Sequence, residues 1–187
     1  MPYTPPPELA SLSLTQIAEM VEAQQLPPVE KWEPKETGDS EMRITADGTW
    51  YHQGGIIKRP AMVRAFSTLL RQEPDNGYVL VTPHQKLSII VEDAPFVAVE
   101  MESEGEGEAR KLAFRLNTDH LVIADDLHKI SFPSGADPRP YLHVRGGLEA
   151  VCSRPVYYEL AEMAIADDLD PFGIWSNGAF FPIDRPE

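Results

Sequence analysis

"IIKRPAMVRAFSTLLR" (residues 56–71) and "VCSRPVYYELAEMAI" (residues 151–165) each run an apolar, strand-like start into a helix-like end through an Arg-Pro pair, with Arg59 and Arg154 standing 95 positions apart. Proline suits the first helical position because its missing amide hydrogen leaves nothing unpaired there and its fixed φ is already helical. It also holds its predecessor in extended geometry, so a strand feeds straight into a helix. The first stretch predicts a helix with Met62, Val63, Phe66, Leu69 and Leu70 on its buried side and Arg64, Thr68 and Arg71 on the other. Two such passages at a fixed offset predict an internal duplication, pairing Arg59 with Arg154, Pro60 with Pro155 and, one residue out of register, Gly77 with Gly173.

Strand signals surround both passages. Asp47-Gly48 lies between two strand-like runs and supplies the positive φ of a tight hairpin; "YVLVTP" and "KLSIIVED" follow the first helix, giving β-β-β-α-β-β over residues 41–95. In residues 96–187 an added meander (97–132) comes first, its acidic tip "EGEGEA" between two strands. A hairpin about Gly146-Gly147, the second helix and a hairpin at Asn177-Gly178 then repeat β-β-α-β-β. Residues 1–40 form a Pro-rich arm with one helix, marked by the capping box Ser13–Gln16 and the apolar positions Ile17, Met20 and Val21. That apolar stripe predicts an arm packed on the body. The fold expected is therefore α+β: two mainly antiparallel sheet units, each with one main helix, the second unit larger.

The 187 residues carry a formal charge of −14 and 42% hydrophobic content, the makeup of a globular protein whose overall surface repels phosphate backbones. Nonspecific nucleic-acid binding is thereby disfavoured. Lys58, Arg59, Arg64, Arg71 and Lys86 against Glu73 and Asp75 make residues 54–90 the one basic window. A single cysteine, no secretory leader pattern and no apolar run long enough for a membrane span point to a cytoplasmic protein.

Taken in order, "RITADGTWYHQGGIIKRPAMVRAFSTLL", "YVLVTPHQKLSIIVEDAPFVA" and "PYLHVRGGLEAVCSRPVYYEL" resemble the bacterial domain of unknown function 1285 family, over a span running roughly from Pro28 to the end. The resemblance implies a duplicated core in two subdomains, the second superficially like a pleckstrin-homology fold. It implies a nucleotide-like ligand at their interface and a role in signalling, and it carries no catalytic residues.

The arginines of the two passages need a cause beyond helix initiation. Arg offers no acceptor to the first free amides and adds positive charge to the positive end of the helix dipole. A phosphate or carboxylate at that spot resolves both problems. The ordinary alternative is an ion pair, or an aliphatic stem lying on the core. The candidate ligand residues are Arg59, Lys58, Arg64, Lys86, Arg154 and Trp175, with Trp50 and Tyr78 as further stacking or core aromatics. Arg59 has the more basic surroundings, since Glu159 and Glu162 follow Arg154 in its helix.

Other chemistry is poorly supported. Glu92-Asp93 are strand neighbours and point to opposite faces. Histidines 52, 84, 120, 128 and 143 lack metal-ligand spacing, so neither a metal nor a cofactor is expected. Cys152 reads as a buried apolar residue, Ser131 and Ser176 lack an elbow motif, and Gly105 and Gly107 are flanked by glutamates that repel phosphate. The expectation is a binding or regulatory protein that takes a small anionic ligand where two units meet. Its rivals are a protein-interaction module using sheet edges or the arm, and a hydrolase or transferase whose site assembles only in space.

Overall fold

A computed structural model describes residues 8–135 and 138–184 of the chain. The first sheet comprises β1 (Glu36–Ile44), β2 (Trp50–His52), β3 (Gly55–Ile56), β4 (Leu70–Gln72), β5 (Tyr78–Val81) and β6 (Gln85–Val91), in the order β3-β2-β1-β6-β5-β4. The second comprises β7 (Phe96–Glu104), β8 (Lys111–Leu116), β9 (Leu121–Ile123), β10 (Ile130–Ser131), β11 (Tyr141–Arg145) and β12 (Leu148–Cys152), in the order β10-β11-β12-β7-β8-β9. Helix α1 (Leu14–Ala23) lies in the arm, α2 (Pro60–Ser67) falls between β3 and β4, and α3 (Arg154–Asp167) follows β12. A hairpin of β13 (Gly173–Ser176) and β14 (Ala179–Pro182) closes the chain.

Each six-stranded sheet is two three-stranded antiparallel meanders joined by one parallel pair, between its first and last strands. Ile44 of β1 faces Val91 of β6, and Ala98 of β7 faces Cys152 of β12. The α+β duplication is thus written in the sheets, at an offset of about 60 residues judged by where β1 and β7 begin, Glu36 and Phe96. The two Arg-Pro helices fall outside that correspondence. Helix α2 connects the two meanders of its sheet, whereas α3 leaves after the last strand, so the pairing of Arg59 with Arg154 is not a structural equivalence. The reason is general: Pro at a helix start recurs wherever a strand runs directly into a helix.

Two boundaries also differ from the sequence pattern. Strand β1 starts at Glu36, inside the span read as arm, and α2 ends at Ser67. Leu70, fully buried, belongs to β4 and faces Leu80 of β5. The pair Leu69-Leu70 satisfies a helical stripe and a short strand equally well, and cross-strand pairing decides between them.

The sheets share one apolar core, in which Ile44, Trp50, Leu70, Leu80 and Ile89 of the first meet Phe96, Phe114, Leu116, Leu142 and Leu148 of the second. Helix α3 adds Val156 and Leu160, and the last hairpin Ile174 and Phe181. The arm lies on the second sheet. Leu9, Leu14 and Ile17 pack with Ala113 and Leu121, and each fully buried aliphatic side chain contributes about 1.5–3 kcal/mol. Ser13 and Gln16 form the reciprocal capping box. Among the described residues no helix is long and apolar enough to cross a membrane.

Candidate functional site

The units are laced together by reciprocal arginines. Arg64 of α2 donates from Nη1 to the Thr118 carbonyl in the β8–β9 turn at 3.0 Å. Arg145, the last residue of β11, donates from Nη2 to the Ser67 carbonyl at the end of α2, 2.8 Å away. Asn117 completes the seam, accepting from the Val97 amide at 3.0 Å and donating to the Gly48 carbonyl at 3.2 Å. Gly48 has φ +85°, and a Cβ there would stand 2.6 Å from Asn117 Nδ2 and 2.8 Å from Val97 Cγ2, so both the turn and the close approach require glycine.

His120 sits beside the two arginines. It is 5% exposed, with Nδ1 2.8 Å from the Thr118 hydroxyl. Burial first, then the positive charges of Arg64 and Arg145, drive its pKa down from 6.5 to about 3, so the ring is neutral. Its other nitrogen, Nε2, makes no hydrogen bond to the described residues and is not sealed from solvent. The Arg145 guanidinium stands 5.5 Å from the Phe96 ring centroid, and burial pulls its pKa below the ordinary value with Glu30 opposing. No carboxylate among the described residues comes within ion-pair distance of it.

His120 and Arg145 both line a groove of about 700 Å³ between α1 and the second sheet. The α1 side supplies Leu14, Ala18 and Val21, and the sheet supplies Leu121, Ile123 and Val144. Glu22, Glu104, Lys111, Asp125 and His128 also border it. Asp125 is engaged by His128 Nδ1 at 2.9 Å, and Glu104 accepts from the Leu14 amide at 3.3 Å. Gln24 anchors the far end of α1 by exchanging two hydrogen bonds with the Leu121 backbone, at 3.0 and 2.8 Å. A groove with a guanidinium and an imidazole nitrogen at its seam end and an aliphatic wall can hold a ligand with one charged end.

The sequence-derived residues do not gather in one place. Arg59 is the exposed N-cap of α2, its side chain making no capping bond. Lys58 borders a hollow of about 290 Å³ with Asp47, Trp50, Asn117, Thr118 and Asp119, so two carboxylates share that hollow with one lysine. The Trp50 indole nitrogen is buried without a partner among the described residues. Lys86 lies 3.6 Å from Glu73, which also takes Arg71 at 2.8 Å, so part of the basic window neutralises itself. Arg71 in turn holds the arm through the Val29 and Trp32 carbonyls at 2.8 and 2.7 Å.

Arg154 is the first residue of α3, whose N-cap is Ser153; the Ser153 hydroxyl accepts from the Val156 amide at 3.5 Å. Trp175 stands opposite Phe180 across the last hairpin, with ring centroids 5.2 Å apart. Glu92 and Asp93 diverge: Glu92 accepts from the Ala46 amide at 3.0 Å, and Asp93 accepts from the Tyr141 hydroxyl at 2.7 Å. Burial pushes the Cys152 thiol up to about 12, which removes it as a nucleophile at neutral pH. Ser176 is spent on structure, bridging the Leu112 amide and the Ala124 carbonyl at 2.9 and 2.7 Å. Among the described residues no group of three or more His, Cys, Asp or Glu is placed to hold a metal.

Arg145 and His120 are therefore the functional candidates that motif and spacing do not single out. The nearest signal is a basic residue directly before Gly146-Gly147 at the end of an alternating strand. The contact that gives it meaning spans 78 residues.

The chain matches the N-terminal domain of the domain of unknown function DUF1285 over residues 27–94 and the C-terminal domain of the same family over residues 95–183. The crystal structure of a DUF1285 family protein from Silicibacter pomeroyi DSS-3 is similar at 41% identity and TM-score 0.78, covering 91% of this chain and 93% of its own. One from Shewanella baltica OS155 is similar at 25% identity and TM-score 0.53, covering 68% of this chain and 95% of its own. No curated protein matches.

Proposed function

The chain belongs to the DUF1285 family, and on that premise we propose that it is a binding protein, taking a small anionic ligand in the groove between α1 and the second sheet, beside the seam of its two units. The observation that carries the reading is the Arg145 guanidinium. It is held at the seam by a backbone carbonyl, borders a groove, and has donors to spare beside a neutral histidine with an open nitrogen. Arginine presents five N–H groups, and only a fraction of them are used here. Anions bind well at such places because charge-assisted hydrogen bonds to a partly desolvated guanidinium are roughly twice as strong as neutral ones. A ligand on Arg145 would touch the residue that ties β11 to α2, so occupancy would alter how firmly the units hold each other. That coupling suits a regulatory role.

Nucleotides are the first class to test, followed by simple phosphates and carboxylates, by thermal shift and calorimetry on the full chain. Arg145→Gln is expected to weaken binding at least tenfold, and Arg59→Ala to leave it within twofold. Loss with Arg59→Ala alone moves the site to the start of α2, and no response to any anion discards the reading. A second reading, a surface for a protein partner, is favoured by one observation. Ile56, Tyr51, Arg43 and Ile90 stand side by side across β3, β2, β1 and β6, with Ile56 52% and Ile90 63% exposed.

A further inference from the structure

The groove under α1 is chemically lopsided. Leu14, Ala18 and Val21 recur at helical spacing along one wall and span about 10 Å at the rise of an α-helix. Leu121, Ile123 and Val144 face them from the sheet. At the seam end stand Arg145 and His120, a side chain more than nine-tenths buried whose Nε2 has no partner among the described residues. The neutral ring carries one proton; the tautomer in which the Thr118 hydroxyl donates to Nδ1 leaves Nε2 as a donor, and a carboxylate at that nitrogen selects it. The remaining lining includes Glu22, Glu104 and Asp125 against Lys111. Those carboxylates oppose a polyphosphate chain laid along the groove more strongly than a single anionic group on Arg145, which Glu22 and Glu30 still oppose.

We propose that this groove binds an amphipathic monoanion, an aliphatic or aromatic carboxylate of about the length of an octyl chain, with its head on Arg145 and His120 and its apolar body against α1. The proposal rests on the anion-binding reading above and narrows it to one ligand class. Desolvating the chain between α1 and β9 supplies affinity at about 0.8 kcal/mol per buried methylene, and the head fixes orientation. Since α1 forms one wall, the ligand also clamps the arm to the second sheet, and the α1 amides become slower to exchange when the groove is filled.

Calorimetry and hydrogen exchange on the full chain test this with octanoate, octylamine, octanol, acetate and ADP. Octanoate is expected to bind at least tenfold more tightly than octylamine or acetate and to protect α1. Ala18→Trp, which fills the groove from the partly exposed face of α1, is expected to abolish octanoate binding, and Arg145→Gln to erase the preference for octanoate over octanol. Thermal melts of both variants establish that they fold, and the Ala18→Trp result stands alone if Arg145→Gln loosens the seam. Equal binding of octanoate and octylamine overturns the proposal, as does octanoate binding that survives Ala18→Trp. ADP binding that depends on Arg145, with none by octanoate, overturns the carboxylate class and leaves the anionic site standing. Absence of binding by both overturns both.

Discussion

An Arg-Pro pair stands at the start of both α2 and α3, and different forces hold the two helices. Helix α3 runs for 14 residues and buries Val156, Leu160 and Ala164, four apart, in the core. Its end is fastened by an ion pair between Arg110 and Asp167, whose side chains are 7% and 15% exposed. Helix α2 runs for 8 residues, with Ser67 its one fully buried residue. It is held through Val63 and Phe66 at the core's margin and by the two arginine–carbonyl bonds of the seam. The proline decides where each helix starts; the face it buries decides what it is for. One helix belongs to the core of its unit, and the other clips two units together.

The largest expected effect comes from treating the two helices alike. Leu160→Ala removes a fully buried side chain from the core and is expected to cost about 2–5 kcal/mol. Met62→Ala on α2, where the side chain is 40% exposed, is expected to cost under about 1 kcal/mol. Urea denaturation of both variants measures the difference. Equal costs would dissolve the contrast and make α2 a core helix too.

How far these roles are legible in sequence follows from the range of the interactions that set them. Ser13 with Gln16, Asp47-Gly48, Asn177-Gly178 and the two helix-starting prolines are local chemistry, and each marks its element correctly. Leu70 is ambiguous because a helical stripe and a three-residue strand make the same apolar demand there. The parallel pairs, Ile44 with Val91 and Ala98 with Cys152, leave no local trace, and without them the true repeat near 60 residues is hidden behind the more conspicuous Arg-Pro passages. The candidate site lies at the same blind distance. Arg145 meets Ser67, and His120 meets Arg64 and Arg145, only once the sheets are closed.

Acid probes the seam more strongly than the core of α3. With His120 driven down to about 3 by burial and by Arg64 and Arg145, the unfolded chain binds a proton between that value and 6.5 that the folded chain does not. Stability from this residue is therefore whole above 6.5 and is lost as pH falls towards 3. At about 1.4 kcal/mol per pH unit, the loss by pH 5 is on the order of 2 kcal/mol. Thermal unfolding across that range is expected to show a shallower decline for His120→Gln than for the wild type. Parallel curves would mean that His120 is not the neutral centre of the seam.

The smallest effect separates the two helix starts themselves. Ser153 already caps α3 with its hydroxyl, so Ser153→Ala is expected to cost about 1 kcal/mol. Arg59 holds the corresponding place on α2 with extended backbone, φ −88° and ψ 112°, and no side-chain bond to the first amides. Aspartate fits that backbone, accepts from the free amides and complements the helix dipole, so Arg59→Asp is expected to stabilise the protein by about 0.5–1 kcal/mol. Chemical denaturation resolves the opposite signs. If the gain appears, Arg59 is a cost at its own helix start, and repeating the anion titrations on Arg59→Asp shows whether that cost serves binding. Unchanged affinity assigns the anion to Arg145 alone, while a loss makes α2 a helix that meets the ligand from its start as well as its end.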